Sequence, residues 1–312
     1  YAASAPPSNT STGLITVEMN SSMVLLPEVP MKQRLADQRV GWFNTRVTDY
    51  GLDAHKASRR IYLDRWRLEV KEEDIEKFKA GELVEPKKQI VYYIDPATPT
   101  KWVPYLKAGV EDWNAAFEEA GFKNAITAKE APSPEEDPDW NPEDARYSVI
   151  RYFASNIQNA YGPHVSDPRS GEIIESDIGW YHNVMNLLRN WFFVQTAAIN
   201  PDSRGMQFDD EVMGRLIRFV SSHEVGHTLG LPHNFASSFA YPVDSLRSAT
   251  FTAKYGTAPS LMDYARFNYV AQPEDTGVHL FPEVGPYDKF AISWGYKPIL
   301  DAETPEDEQE IL

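Results

Sequence analysis

Three of the chain's seven histidines lie in the stretch HEVGHTLGLPH, residues 223–233. His223 and His227 are four positions apart, so on a helix they project from one face and their imidazoles can hold one metal ion. Gly230 can end that helix and let the chain reverse, which returns His233 to the same point. This spacing constrains the fold more than any other feature, because it requires a helix, a sharp turn and a three-ligand site.

Glu224 follows the first histidine and is rotated by about 100° on the helix, so it lies beside the metal instead of binding it. A general base for an attacking water is needed at this position. Three protein ligands leave the fourth position of a tetrahedral Zn²⁺ open, which is typical of a catalytic zinc. A match at all five positions of this motif occurs by chance on the order of 10⁻⁵ times in a chain of this length. The interpretation as three unrelated histidines is therefore set aside.

The composition is that of a folded protein with a negative charge. The chain has 312 residues, 42% of them hydrophobic and 12% aromatic, which suits one large domain, or one domain with an attached segment. The formal net charge of −16 argues against nucleic acid as the main partner. The acidic runs at 131–140 and 301–312 are interpreted as a solvated loop and a solvated tail.

Three absences narrow the chemistry and the topology further. The chain contains no cysteine, which excludes disulfides, thiolate zinc sites and a cysteine nucleophile. No apolar run approaches the ~18 residues that a membrane-spanning helix needs, so we expect no transmembrane segment. No signal peptide precedes Tyr1 and the chain does not begin with Met, so we expect a mature or excised piece of a longer polypeptide.

Residues 1–88 are predicted to be a lead-in segment packed on the catalytic domain, not an independent domain. Two short strands around an Asn-Ser-Ser turn are expected at 13–28, followed by an alternating strand at 59–70. A short polar helix that ends at a glycine is expected at 71–81.

The predicted catalytic domain covers residues 89–312, divided into an upper subdomain, 89–230, and a lower subdomain with the acidic tail, 231–312. Strand-like runs lie at 89–95, 124–131, 147–155 and 171–181, and helical periodicity lies at 103–120, from 209 into the histidine motif, and at 285–296 with an end at Gly295. This order predicts an α+β fold with a twisted mixed β-sheet, a backing helix and a zinc-site helix. A smaller, irregular C-terminal subdomain would carry the closing helix.

The stretch HEVGHTLGLPH resembles the zinc motif of the metzincin metallopeptidases. The second mark of that clan is a methionine turn, and SLMDYARFNY, residues 260–269, supplies a candidate. By this resemblance Met262 packs beneath the three imidazoles; an ordinary core methionine is the alternative, and the zinc motif in the same chain favours the methionine turn. Tyr264 stands two residues later, as in the astacin and serralysin branches, where such a tyrosine approaches the metal or the oxyanion.

The resemblance extends beyond these two motifs to a mostly bacterial family of multidomain proteins, the Met-zincin or zinc-dependent metalloproteases. It covers roughly 85–298, through stretches such as GVEDWNAAFEEAGFKNAI and GPYDKFAISWGY, with a weaker similarity at 35–44. It implies a metzincin-like fold, an extracytoplasmic location and further domains flanking this chain. Asn234 follows the third histidine where several branches have an acid or a serine, so their subfamily rules are not transferred.

Other polar residues are assigned no role at the zinc. The histidines interpreted as hydrogen-bonded surface or core residues are His55, His164, His182 and His279. Acids that could bind a structural Ca²⁺, as in some metzincins, are Asp167, Glu172, Glu175 and Asp177, but their spacing matches no EF-hand and solvated acids are favoured. Two interpretations of 171–181 stand side by side: a strand above the cleft that pairs with extended substrate, and an edge strand protected by charges.

The sequence therefore predicts a zinc-dependent endopeptidase that acts on a protein or peptide. His223, His227 and His233 would bind one catalytic Zn²⁺, and Glu224 would be the general base. Alternatives are a catalytically inactive zinc-binding scaffold or adhesion module, a hydrolase of a non-peptide bond and, less favoured, a glycan-binding module. The presence of Glu224 argues against the inactive module, because an inactive relative can most easily lose that base.

Overall fold

The computed structural model describes residues 11–312 except 16, 18, 52 and 54. Nine strands form three sheets within these residues. The strands are Asn44–Asp49 (β1), Ser58–Leu63 (β2), Ile90–Ile94 (β3), Ile126–Glu130 (β4), Ser148–Phe153 (β5), Ala160–Tyr161 (β6), Val165–Ser166 (β7), Ile173–Glu175 (β8) and Ile178–Tyr181 (β9).

The helices lie before, between and after these strands. They are Ile75–Lys79 (α1), Val103–Glu111 (α2), Asn114–Glu119 (α3), Val184–Thr196 (α4), Asp210–Thr228 (α5), Val243–Leu246 (α6), Ala249–Tyr255 (α7), Pro286–Tyr296 (α8) and Pro305–Ile311 (α9). Single 3₁₀ turns lie at Glu72–Asp74, Thr100–Trp102, Pro201–Ser203 and Ser238–Ala240. No helix in the described part of the chain combines the length and the hydrophobicity of a membrane-spanning segment.

The central sheet has five strands in the order β4-β3-β5-β9-β6. The first four run parallel, and β6 pairs antiparallel with β9 at one edge, with Ala160 opposite Trp180. Both strands next to β3 are hydrogen-bonded to it, and its Ile90, Tyr92 and Ile94 are buried, as expected for the continuous apolar run in the sequence. The predicted α+β fold with a mixed sheet is confirmed.

Helices α2 and α5 pack against each other and fix the position of the histidine motif. The Ser221 hydroxyl donates to the Leu106 carbonyl at 2.9 Å, and the Trp113 indole donates to the Ser222 carbonyl at 2.8 Å. Trp113 is fully buried where α2 ends and α3 begins, so the single helix predicted over 103–120 is two helices. The core therefore holds the motif helix by buried hydrogen bonds as well as by apolar contacts.

The N-terminal part differs from the prediction for 13–28. Its described residues form no strand, and Met23 and Leu25 are almost fully exposed; positions 16 and 18 lie outside the described residues. The prediction of two strands there was wrong, because these apolar residues have no neighbouring strand on which to pack. Of the strand predicted at 59–70, only the first part is present, as β2, which ends at Leu63 and pairs antiparallel with β1. The helix predicted at 71–81 is present as α1 and the 3₁₀ turn before it.

The C-terminal tail is mostly exposed, as predicted, but it is helical and is anchored to the rest of the chain through a buried acid. It forms α9, and Glu308 on this helix is 3% exposed. Buried Arg34 donates through Nε to Glu308 at 3.0 Å and through its two Nη atoms to the carbonyls of Trp294 and Lys297. The acid is buried because an arginine from the other end of the chain neutralises it. The closing helix α8 also runs one residue past Gly295, to Tyr296.

Candidate metal centre

Helix α5 carries the first two histidines of the motif in its last turns, and its end is shaped by a glycine. Its first turn contains Asp210 and Glu211, which are favourable at the positive end of a helix dipole. Gly230 follows the helix with a φ of 105°. A side chain at Gly230 would overlap the Trp42 indole and stand 2.5 Å from the Asp64 carbonyl, so the chain reverses here in a conformation and a space that suit glycine.

The structure brings His223, His227 and His233 together. One ligand nitrogen from each lies within 4.8 Å of the others, and the Nε2 atoms of His227 and His233 are 3.1 Å apart. Two nitrogens bound to one tetrahedral Zn²⁺ at 2.0–2.1 Å are separated by roughly 3.3 Å. The spacing of the imidazoles therefore matches one shared metal ion.

The tautomers of two imidazoles are set by backbone carbonyls. The Nδ1 of His223 lies 2.9 Å from the Leu261 carbonyl, and the Nδ1 of His227 lies 2.8 Å from the Leu231 carbonyl. A carbonyl accepts only, so each Nδ1 carries the proton and each Nε2 keeps its lone pair for a metal. The Nε2 of His223 is buried and has no hydrogen-bond partner within the described residues. A buried, unpartnered nitrogen that points at two other histidines fits a bound Zn²⁺.

Burial also keeps these imidazoles neutral. It lowers the pKa of His223 to about 3, with a further contribution from His227, and it lowers the pKa of His227 to about 4. Burial lowers the pKa of His233 as well. Neutral imidazoles are the form that binds zinc. The residues present therefore fit one Zn²⁺ with three nitrogen ligands.

Glu224 lies on α5 between the first two histidines and is 7% exposed. Burial raises the pKa of its carboxyl to about 8. Its charge is close enough to raise the pKa of Tyr264, after burial of that phenol. The carboxyl and the phenol therefore interact electrostatically.

Tyr264 is part of an aromatic group over the third histidine. Its ring centroid lies 4.4 Å from that of His233 and 5.4 Å from that of His223. The Phe235 ring stacks next to both, 5.2 Å from His233 and 5.6 Å from Tyr264. Tyr264 is 42% exposed and Phe235 is 62% exposed. This side of the centre is therefore open to a ligand and lined by aromatic rings.

Met262 is 1% exposed and packs against α5. A side chain at Gly226, between the two helical histidines, would overlap its sulfur. The Met262 carbonyl accepts from the Asn234 amide at 2.9 Å, which joins this turn to the segment that carries His233. Asp288 holds the same turn by accepting from the Ser260 hydroxyl and the Leu261 amide, both at 2.6 Å.

The remaining histidines and acids do not join the centre. His164 bonds Asp64 at 3.2 Å and His182 bonds the Tyr152 hydroxyl at 2.6 Å, whereas His55 and His279 are exposed. The four acids considered for Ca²⁺ are Asp167, Glu172, Glu175 and Asp177. Asp167 pairs with Arg169 and Glu172 pairs with Arg67. Asp177 accepts a hydrogen bond from the Val149 amide. Within the described residues, the three motif histidines are the one group of three or more potential ligands.

Some residues next to the centre were not identified as site residues from the sequence. The Phe43 ring, from the N-terminal segment, lies 6.0 Å from the His227 ring. The strand at the sheet edge near the site is β6, and a side chain at Gly162, which follows it, would stand 2.6 Å from the Glu224 carbonyl. The segment 171–181 instead forms β8 and β9, and β9 lies inside the sheet. For β9 the interpretations as an edge strand and as the strand that pairs with substrate were both wrong, because β6 covers it, whereas β8 has β7 as its one partner in a separate two-stranded sheet.

Comparison with known families identifies two parts of the chain. Residues 205–312 match the family described as Met-zincin, and residues 1–71 match a family described as a domain of unknown function (DUF5117). No curated protein and no solved structure matches the chain. The resemblance to the Met-zincin family is confirmed over 205–312, which contains the three histidines, and the mixed α+β structure fits a metzincin-like fold. The match to the Met-zincin family and the histidine cluster together support a zinc metallopeptidase-like function.

Proposed function

From the Met-zincin match and the three converging imidazoles, we propose that this chain is a zinc-dependent endopeptidase that cleaves protein or peptide substrates. The observation that carries the proposal is the arrangement of three neutral histidines with free Nε2 lone pairs beside a buried glutamate. A structural zinc site needs no such acid and normally has four protein ligands. This difference favours catalysis over a purely structural role.

His223, His227 and His233 would hold the Zn²⁺, which when bound supplies Lewis-acid polarisation of the scissile carbonyl and acidifies a water. A bound Zn²⁺ would favour the ionised form of Glu224, against the effect of burial on its pKa. As a carboxylate, Glu224 takes the proton as the water oxygen bonds to the carbonyl carbon. When the C–N bond breaks, the same carboxyl returns that proton to the leaving nitrogen. Each turnover thus consumes one water and restores the glutamate.

Tyr264 and Met262 support this chemistry in different ways. The Tyr264 hydroxyl donates a hydrogen bond to the oxyanion that develops on the substrate carbonyl. Met262 acts as the methionine turn, with its side chain packed against Gly226 so that α5 and the loop of His233 keep their relative position. The phenol is thus a catalytic donor, whereas the methionine is a positioning residue.

An extended substrate would bind along β6. This strand is the antiparallel edge of the central sheet, and the residue after it lies against the backbone of α5 at Glu224. A sheet edge can pair with a peptide through backbone hydrogen bonds, which would hold the scissile bond extended beside the histidines. The remaining features implied by the family, an extracytoplasmic location and flanking domains, belong to this proposal.

The competing function is an inactive zinc-binding module. Peptide-library digestion read by mass spectrometry separates the two, with Glu224→Gln as the inactive variant and Glu211→Gln, on the exposed first turn of the same helix, as its control. We expect Glu224→Gln to keep zinc and fold while turnover falls by at least ~10², and Glu211→Gln to cleave normally. Cleavage by Glu224→Gln at the wild-type rate would remove Glu224 from the mechanism, and a wild type that cleaves no peptide would favour the inactive module.

A further inference from the structure

Arg266 is a cation without an anion. Its Nε is buried and has no hydrogen-bond partner, and its guanidinium forms no ion pair with any described residue. The guanidinium instead lies 4.0 Å from the Trp191 ring centroid and 5.5 Å from that of Tyr264. Arg215 also forms no ion pair with a described residue, so what distinguishes Arg266 is its position beside Tyr264 and the metal centre.

The backbone of Arg266 is held in a conformation that arginine rarely adopts. Its φ is 57°, in the left-handed region, which costs an L-residue on the order of 1 kcal/mol or more. The next amide, of Phe267, donates to the Gln195 side chain at 3.2 Å, and both Gln195 and Trp191 belong to α4. Contacts to α4 thus fix the arginine in a strained position, and such strain is found where a side chain must be aimed.

The guanidinium lies within a few residues of the bond that would be cut. The Tyr264 ring is 4.4 Å from the His233 ring and 5.5 Å from the guanidinium, so the guanidinium is at most about 10 Å from the third histidine. An extended chain advances 3.3–3.6 Å per residue. A substrate group that meets Arg266 is therefore within about three residues of the scissile bond.

We infer that Arg266 binds a carboxylate of the substrate, so the enzyme selects peptides with an acidic group within about three residues of the cleaved bond. This inference rests on the proposed peptidase function and names its substrate class. Trp191 and Tyr264 hold the planar guanidinium, whose donors can meet both oxygens of a carboxylate. The carboxylate comes from an Asp or Glu side chain or from the substrate's C-terminus.

Because the chain is negatively charged overall, a preference for acidic peptides requires a cation close to the bound peptide. At −16, the protein repels acidic peptides at long range. A preference for an acidic peptide must therefore come from a cation at the cleft. Arg266 is such a cation, next to the aromatic rings that line the open side of the centre.

The test measures binding, separately from cleavage. In a Glu224→Gln background, fluorescent peptides are titrated in pairs that differ only by Glu or Gln at one of three positions on each side of the scissile bond. Each pair is made with a free or an amidated C-terminus, which separates the two sources of the carboxylate. We expect one acidic peptide to bind about tenfold or more tightly than its neutral partner, the range for a hydrogen bond to a charged group.

The variant Arg266→Gln should abolish the difference between the paired peptides, and Arg266→Lys should restore only part of it, since lysine keeps the charge without the planar fork. Arg215→Gln is the matched control, because Arg215 also lies over a ring, that of Phe281, at 4.0 Å, and this variant should keep the preference. No preference for any acidic peptide, or the same preference in Arg266→Gln, would overturn the inference. If the wild type cleaves peptides but shows no preference for acidic ones, the proposed peptidase function stands and this inference fails. If the protein binds acidic peptides preferentially but the wild type cleaves none, the binding role of Arg266 stands and the peptidase function fails.

Discussion

The Met262 side chain packs directly against Gly226, so closely that a methyl group on the glycine would overlap the sulfur. The same methyl group would stand 2.7 Å from the Trp113 ring. Because Gly226 directly precedes His227, this contact joins the turn at Met262 to the metal-binding face of α5.

Gly226→Ala should therefore destabilise the fold and disturb zinc binding. Overpacking a dense core costs about 1–3 kcal/mol, which outweighs the better helix propensity of alanine, about 1 kcal/mol. Urea unfolding and zinc titration measure both effects. The double variant Gly226→Ala/Met262→Ala should lose less than the sum of the single losses, because truncating the methionine removes the overlap. Full additivity would mean that the two residues do not contact each other in solution.

His227→Ala should abolish tight zinc binding. The purified protein is expected to carry about one Zn²⁺ per chain, because three imidazoles with Nε2 lone pairs converge on one point. Elemental analysis after dialysis measures the zinc content. His182→Ala, whose ring bonds Tyr152 outside the cluster, should keep its zinc. A fully loaded His227→Ala protein would refute the assignment of this ligand.

Tyr264→Phe should lower turnover by about 10², the effect of losing one oxyanion donor at ~3 kcal/mol. Zinc affinity should change much less, because three histidines still hold the ion. Tyr269→Phe, at an exposed tyrosine in the same loop, is the control and should cleave normally. A packing role alone predicts near-normal turnover, since Phe keeps the ring over His233, so an unchanged rate would leave Tyr264 without a catalytic function.

Asp177 should make the fold less stable as the pH rises from about 4 to about 7. Burial raises its pKa to about 7, with nearby Glu175 as a further cause. Between the pKa of the unfolded chain, about 4, and this value, the folded state binds a proton that the unfolded state has lost, so the free energy of unfolding falls with pH. After a discount for partial exposure we expect about 1–2 kcal/mol.

Asp177→Asn should remove this slope, because the amide oxygen can still accept from Val149. Urea unfolding at pH 5 and pH 8 measures the free energy of unfolding of the variant and of the wild type. The variant should gain stability relative to the wild type between pH 5 and pH 8. Glu118→Gln, an exposed acid on α3, should follow the wild type at both values. A variant that loses more stability at pH 8 than at pH 5 would contradict the buried, proton-binding carboxyl.

The metal centre was predictable because its information is local. Positions four apart on a helix share a face, and the glycine before His233 signals the reversal, so the sequence alone could bring the three ligands together. The helix α4 is equally local, with Val184, Leu188 and Phe192 at helical spacing and all buried on one face, so its pattern too is legible in the sequence.

Contacts between distant parts of the chain could not be predicted in this way. Trp191 and Arg266 are far apart in sequence, and nothing in their local patterns indicates that their side chains meet. The edge strand β6 has two residues, too few for a periodic signal. The acidic tail likewise carried the charge pattern of a solvated segment, and only a partner 274 positions away, Arg34, makes burial of Glu308 favourable.

The ion pair between Arg34 and Glu308 limits which segments of the chain can be removed without loss of stability. Arg34 lies in the stretch that matches a domain of unknown function, and Glu308 lies in the stretch that matches Met-zincin. Removing either partner of a buried ion pair leaves an uncompensated charge that costs about 3–5 kcal/mol, a large part of the 5–15 kcal/mol that stabilises a typical domain. The two segments that match different sequence families therefore do not fold as separate units, and each needs the other for stability.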